Sequence, residues 1–181
     1  DVSDKQVLCL ASGGGQDSVA FGLLGADVTV LDLSDVQLER DRQGAVHHGL
    51  ATKTVQGDMR DLSAFADDQF DIVWQVYSIN FVPSVEPVVR GVRRVLKPGG
   101  IGFFSVPINL SREETYENPA ITEPDERFGH FGGADHKRFY GRDFQKKLEA
   151  AGFKVEAYRR KPEEEAKWGL LRDECIYIAR K

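Results

Sequence analysis

LCLASGGGQDS, residues 8–18, carries an unbroken apolar run into three consecutive glycines, Gly13, Gly14 and Gly15. The run QVLCLA (6–11) lacks polar alternation, which is the pattern of a strand buried on both faces. GQDSVAFGLLG then reads as a short helix ending at Gly25. Glycine accepts positive φ and lets another group approach the backbone where a Cβ would block it. The start of the following helix offers unpaired N–H groups suited to an anion. Close strand–helix packing needs the same glycines, so their purpose is decided by what surrounds them.

Outward from that turn, apolar runs alternate with amphipathic ones. DVTVLDL (27–33) is a second strand, and Ser34 with Gln37 forms a capping box for the helix DVQLERDRQGAVHHG, which Gly49 ends. KTVQG (53–57) is a third strand, followed by the polar loop DMRDLSAFADDQ with room for one helical turn. FDIVWQV (70–76) is a fourth. From Ser84, the residues Val85, Val88, Val89, Val92 and Leu96 share one helical face, and KPGG (97–100) stops that helix. IGFFSV (101–106) is a fifth strand.

Residues 107–138 are polar and acidic with no sustained period. A helix resumes at RDFQKKLEAAG, with Phe144, Leu148 and Ala151 on one face. The strands FKVEAYRR (153–160) and DECIYIAR (173–180) are separated by about a dozen residues, too few for a crossover helix, so they pair antiparallel. The pattern predicts an α/β fold, a doubly wound sheet covered on both faces, in one domain over 1–181.

The 181 residues suit one domain, and 41% hydrophobic with 29% charged residues is an ordinary globular composition. A net charge of −5 without a basic stripe argues against nucleic acid or an anionic membrane as partner. No apolar stretch reaches the roughly 18 residues of a membrane span. Cys9 and Cys175 both lie in apolar strands, so buried, reduced thiols and a cytoplasmic setting are expected. Neither they nor His47, His48, His130 and His136 show metal-ligand spacing, so no metal is expected. The chain starts at Asp1 and its single methionine is Met59, so it is expected to be the trimmed remainder of a longer product.

Asp32 ends the second strand, seventeen positions after Gly15, where a carboxylate can accept both hydroxyls of a ribose. Its alternative role is as an acid at a helix N-terminus, worth about 0.3–1 kcal/mol. Turn and acid together point to a nucleoside-containing ligand: a nicotinamide or flavin dinucleotide, or S-adenosylmethionine. The dinucleotide fingerprint G-x-G-x-x-G would need glycine at position 18, which is Ser18.

Over nearly its whole length the chain resembles the class I S-adenosylmethionine-dependent methyltransferases, especially small bacterial type-11-like members. VLCLASGGGQ resembles their first motif and VTVLDLS their second strand with its ribose-binding acid. VQGDMRDL resembles the third-strand end, FDIVWQVYSINFV the fourth-strand motif, and RVLKPGGIGFFSV the helix–turn–fifth strand segment. The chain departs at Cys9, where many members carry an acid, and at Ala11, which replaces the first glycine.

The resemblance implies a Rossmann-like seven-stranded sheet of order 3-2-1-4-5-7-6 with strand 7 antiparallel. It implies S-adenosylmethionine as cofactor, held by Ala11, Ser12, Gly13, Gly14, Gly15, Asp32, Leu33, Gly57, Asp58, Met59, Arg60, Gln75, Val76 and Tyr77. Within that set the turn amides would hold the methionine carboxylate, Asp32 the ribose, and Asp58 with Met59 the adenine. Tyr77 either faces the sulfonium or is a core tyrosine. In-line methyl displacement requires alignment above all, so no obligatory catalytic residue is expected; His130, His136, Tyr77 and Asn80 are the candidates on the substrate side.

Base-amino methyltransferases carry Asn/Asp-Pro-Pro-aromatic after the fourth strand, whereas this chain reads QVYSINF, so a small-molecule acceptor is expected. The 107–138 segment would form its lid or walls. Helices preceding the first strand usually cover the cofactor in the family, so an open cleft and a poorly ordered or displaced 107–138 segment are expected. The alternatives are a non-catalytic S-adenosylmethionine-binding module and, less favoured, an NAD(P)-dependent oxidoreductase.

Overall fold

The computed structural model describes residues 1–12, 14–168 and 174–181, apart from the side chain of Trp168. Strand β1 (Gln6–Leu10) has Val7 to Leu10 fully buried, as its unbroken apolar run dictates. It pairs in parallel with β2 (Asp27–Asp32) on one side and with β4 (Phe70–Val76) on the other. β3 (Thr52–Gln56) extends the sheet beyond β2, and β5 (Leu96–Ser105) beyond β4. The terminal strands β8 (Lys154–Arg159) and β9 (Cys175–Arg180) complete it, β9 lying antiparallel between β5 and β8. The order β3-β2-β1-β4-β5-β9-β8 is the one expected from the sequence, with β8 and β9 as its sixth and seventh strands.

Helices α1 (Gln16–Leu23) and α2 (Asp35–His48) cover one face, where Val7, Cys9, Val28, Val30 and Leu38 cluster with Phe21 and Trp74. Helices α3 (Glu86–Val95) and α5 (Asp143–Ala150) cover the other, larger core through Val88, Val89, Val92, Phe144 and Leu148. Cys9 and Cys175 are both free and buried.

Several local expectations change in detail. Ser34 caps α2, its hydroxyl accepting from Gln37 N at 3.4 Å, and Gly49 closes the helix with φ 66°. The reciprocal arm of the capping box is absent, because Ser34 N donates instead to Asp32 Oδ1 at 2.8 Å. Leu96 leaves the α3 face and starts β5, where it pairs with Phe70. The link between β8 and β9 contains a short helix, α6 (Pro162–Trp168).

The 107–138 segment folds against the sheet's carboxyl edge. It forms a second, two-stranded sheet of β6 (Tyr116–Glu117) and β7 (Arg138–Phe139), with α4 (Pro124–Phe131) between them. Tyr140 N donates to Pro107 O at 3.1 Å and Asn109 N to Tyr140 O at 2.8 Å, so the two ends of the segment meet. Phe131 and Tyr140 are fully buried. Strands of two residues have no period to read, which is why the sequence reads as a loop here.

Candidate functional site

β1, β2, β3 and β4 end on the same edge of the sheet, and a cavity of about 370 Å³ opens there. Ala11 and Ser78 line its floor, Asp32 and Leu33 one wall, and Gly57, Asp58, Met59 and Arg60 the next. Gln37, Phe81, Val82 and Pro83 complete it.

Asp32 reaches this cavity because β2 ends one residue before the chain turns into the α2 cap. Its side chain is only 8% exposed, with Oδ1 bonded to Ser34 N. That leaves the second oxygen for a ligand: it accepts no hydrogen bond among the described residues. Asp58 is differently placed. Its carboxylate accepts from Arg60 Nε at 3.0 Å on both oxygens and from Arg60 N at 2.8 Å. Hydrogen bonds and charge from Arg60 hold the Asp58 carboxyl below the usual range. Any ligand donor reaching Asp58 would therefore share this carboxylate with Arg60.

The glycine turn serves packing as well as access. Ala11 and Gly14 take positive φ of 51° and 94°. Gly15 takes φ 103°, and a Cβ there would lie 3.2 Å from Arg40 O on the α2 backbone. Gly15 thus seats α1 on α2, which is the packing role, while Ala11 faces the cavity, which is the access role. Gly13 lies outside the described residues. The Ser12 hydroxyl is buried with no partner among the described residues.

Beneath the turn, Ser18 Oγ donates to Asp41 Oδ1, and both residues are buried. Burial raises the carboxyl pKa of Asp41, and burial does the same for Asp17 in the first turn of α1. Asp17 and Asp41 also act on each other and on the Cys9 thiol, which burial pushes up. Two carboxyl groups whose neutral form is favoured by burial therefore lie beneath the turn.

Gln75, Val76 and Tyr77 stand apart from the cavity lining. Gln75 is fully buried, its amide against Ser78 Oγ at 2.9 Å. Val76 lines a separate cleft of about 120 Å³ beside Trp74 and Phe103. Tyr77 has a positive φ of 58°, and its hydroxyl donates to Glu174 Oε1 at 2.9 Å. Burial and then the Glu174 carboxylate raise its phenol pKa. Glu174 is in turn paired with Arg160 at 2.7 Å.

Of the other substrate-side candidates, His130 is exposed with Nδ1 2.9 Å from Tyr116 Oη. His136 Nδ1 lies 2.8 Å from Phe131 O, and its ring is 5.5 Å from that of Phe81. Asn80 is fully buried, both atoms of its carboxamide lacking a partner among the described residues. Sequence reasoning missed Gln37, Ser78, Phe81, Val82 and Pro83. The available signal for the last three was the run FVP, a few residues beyond the end of the fourth strand and before the helical face of α3 begins.

Residues 8–104, more than half of the chain, match the sequence profile of the family described as "Methyltransferase domain". This chain belongs to that family, the class I S-adenosylmethionine-dependent methyltransferases. The cofactor of the family is S-adenosylmethionine. Among curated relatives, the methyltransferase domain is 50% identical over 100 residues to an uncharacterized methyltransferase, YbaJ, of Bacillus subtilis, covering 55% of this chain and 39% of that protein. It is 33% identical over 105 residues to the ubiquinone biosynthesis O-methyltransferase of Pseudomonas syringae, covering 58% and 45%. The chain spans less than half the length of these curated relatives.

Among solved structures, the S-adenosylmethionine-dependent methyltransferase of Mesorhizobium loti aligns with a TM-score of 0.72 at 20% identity, covering 99% of this chain and 92% of that one. The 1,6-didemethyltoxoflavin-N1-methyltransferase of Burkholderia thailandensis, bound to S-adenosylhomocysteine, aligns with a TM-score of 0.73 at 21% identity, covering 99% and 72%. At these identities the likeness is one of fold.

Proposed function

We propose that this methyltransferase domain transfers a methyl group from S-adenosylmethionine to a small-molecule acceptor. One observation carries the reading: the free Asp32 oxygen opens into a cavity of about 370 Å³ whose other walls are Ala11, Leu33 and the Gly57–Arg60 turn. That volume, mostly apolar with few polar groups, suits a nucleoside. Asp32 would take the ribose hydroxyls, Leu33 and Met59 the faces of the adenine, and Ser12 a polar group at the glycine turn. When bound, S-adenosylmethionine supplies the electrophilic methyl. The chain's part is to orient the bound groups and to exclude water.

The acceptor would lie on the side of the 107–138 insertion. A second cavity of about 590 Å³ is lined there by Glu117, Asn118, Arg127, Lys137 and Arg138, and Pro83 forms part of both cavities. Net charge of −5 supports a small acceptor over a polyanion. Among the described residues no helix is long and apolar enough to cross a membrane, and a cytoplasmic reaction belongs to the same proposal.

Titration calorimetry with S-adenosylmethionine, S-adenosylhomocysteine and NAD tests the cofactor reading. Binding of the first two and not of NAD is expected; binding of NAD alone overturns it. A second reading, a binding module without turnover, draws on one observation: none of His130, His136, Tyr77 and Asn80 lines the cofactor cavity. Release of S-adenosylhomocysteine in the presence of small phenols, amines or thiols distinguishes an enzyme from such a module.

A further inference from the structure

Among the described residues, the turn after β4 pairs with no strand of the main sheet. Residues 78–83 leave the sheet as a single 3-10 turn and an extended link, and Phe81, Val82 and Pro83 become the far wall of the cofactor cavity. Four main-chain carbonyls of this turn are held from behind by residues at β7. Lys137 N donates to Asn80 O at 3.1 Å, and Tyr140 Oη to Ile79 O at 3.3 Å. Arg138 supplies the other two, Nη1 to Val82 O at 2.9 Å and Nη2 to Pro83 O at 2.8 Å.

The Arg138 side chain is 3% exposed. Its remaining edge donates through Nε to Glu117, its partner in the β6–β7 register, and its guanidinium lies 5.8 Å from the Tyr140 ring centroid. A buried cation is costly unless every N–H finds an acceptor, and the planar fork of arginine meets two carbonyls and a carboxylate at once. A lysine offers a point charge without that fork. The segment carrying this clamp lies outside the residues that match the family profile, which end at 104.

We propose that Arg138 is a positioning residue for the cofactor: by clamping Val82 and Pro83 it pre-forms the cavity wall, so that the insertion sets cofactor affinity. The inference rests on the reading of this cavity as the S-adenosylmethionine site. Without the clamp, the 78–83 turn must be ordered when the ligand binds, and that ordering is subtracted from affinity. The alternative is that Arg138 only holds the insertion to the domain, with no effect at the cavity.

The test uses the full chain with S-adenosylhomocysteine as probe, at a temperature where circular dichroism shows each variant folded. Arg138→Lys is expected to weaken binding roughly tenfold or more, as misplacement of a binding wall does. Hydrogen exchange across 78–83 should rise while that of β1 and β2 stays unchanged. Glu117→Gln, which leaves both carbonyl bonds in place, is expected to bind within about twofold of the wild type. A folded Arg138→Lys that binds as the wild type does overturns the inference. Should that variant not fold, Tyr140→Phe decides, since it removes the hydroxyl that donates to Ile79 O and accepts from Arg138 Nη1 at 3.5 Å while leaving both Arg138–carbonyl bonds in place; unchanged affinity there overturns the inference, and a loss of about two- to threefold supports it. Wild-type protein that binds no S-adenosylhomocysteine sinks the cofactor reading and this inference with it, whereas a binding wild type with an equally binding Arg138→Lys sinks this inference alone.

Discussion

Ser18 Oγ donates to Asp41 Oδ1 across the α1–α2 interface, directly beneath the glycine turn. The second oxygen of Asp41 is buried without a partner among the described residues, so this hydroxyl is its main compensation. Ser18→Ala is expected to destabilise the fold by about 1–3 kcal/mol, the cost of stranding a buried polar group. Urea unfolding at neutral pH measures it, and a loss below a few tenths of a kcal/mol contradicts the assignment.

Asp41 also makes a statement about pH. Burial raises its folded pKa above the ordinary value of 3.8, so the native state favours the protonated form. The stability linked to this group is fully present below the ordinary pKa and is lost as pH rises through the raised one. Asp41→Asn mimics the protonated form. It should match the wild type in acid and exceed it in stability near neutrality, as unfolding curves between pH 4 and 8 will reveal; a variant less stable at neutral pH contradicts the sign.

Ala11 stands at φ 51°, a conformation that an L side chain adopts only at a cost of about 1–2 kcal/mol. Its amide still donates to Leu31 O at 2.8 Å, so the turn is held in place despite the strain. Ala11→Gly should raise stability by about 0.5–1 kcal/mol after the added chain entropy of glycine is counted. Replacement of the family's first glycine by Ala11 thus carries a backbone cost. A melting temperature unchanged or lowered in Ala11→Gly would falsify the strain argument.

Asp32→Ala removes two things at once. It takes a ribose partner from the cavity and an acceptor from Ser34 N at the start of α2. Binding of S-adenosylhomocysteine should weaken by about 1–3 kcal/mol, with a smaller loss of fold stability. Calorimetry beside thermal melts separates the two effects; full affinity in the variant removes Asp32 from the site.

Cys9 is fully buried, and burial with the Asp17 and Asp41 carboxylates raises its thiol pKa. Burial raises that of Cys175 as well. Labelling of either thiol in the native protein should be slow and gain little between pH 7 and 9, becoming complete on unfolding. Rapid native labelling of Cys9 would place it outside the core.

The sheet was legible because each of its central strands is a short apolar run bounded by a glycine, an acid or a cap. Asp32 was legible as a strand-end carboxylate on the cavity wall, and its bond to Ser34 N shows that it also serves the start of α2. Tyr77 was not: what its hydroxyl meets is Glu174, ninety-seven positions away, and only the antiparallel return of β9 brings them together. The committed state of Asp58 was more accessible, as Arg60 sits two residues on. The 107–138 segment stayed opaque because its order comes from single contacts, Arg138 and Tyr140 above all, rather than from any repeating pattern.

That Arg138 grips main-chain oxygens has a bearing on how this cavity can change over generations. Val82 and Pro83 give their carbonyls to the guanidinium, and both residues also line the cavity, Val82 as part of the buried core and Pro83 exposed. Substitutions at 83 where a like backbone angle is kept leave the grip untouched. The exposed part of the lining can therefore drift toward new ligands while the wall stays where it is, whereas Val82 stays bound to the packing of the core.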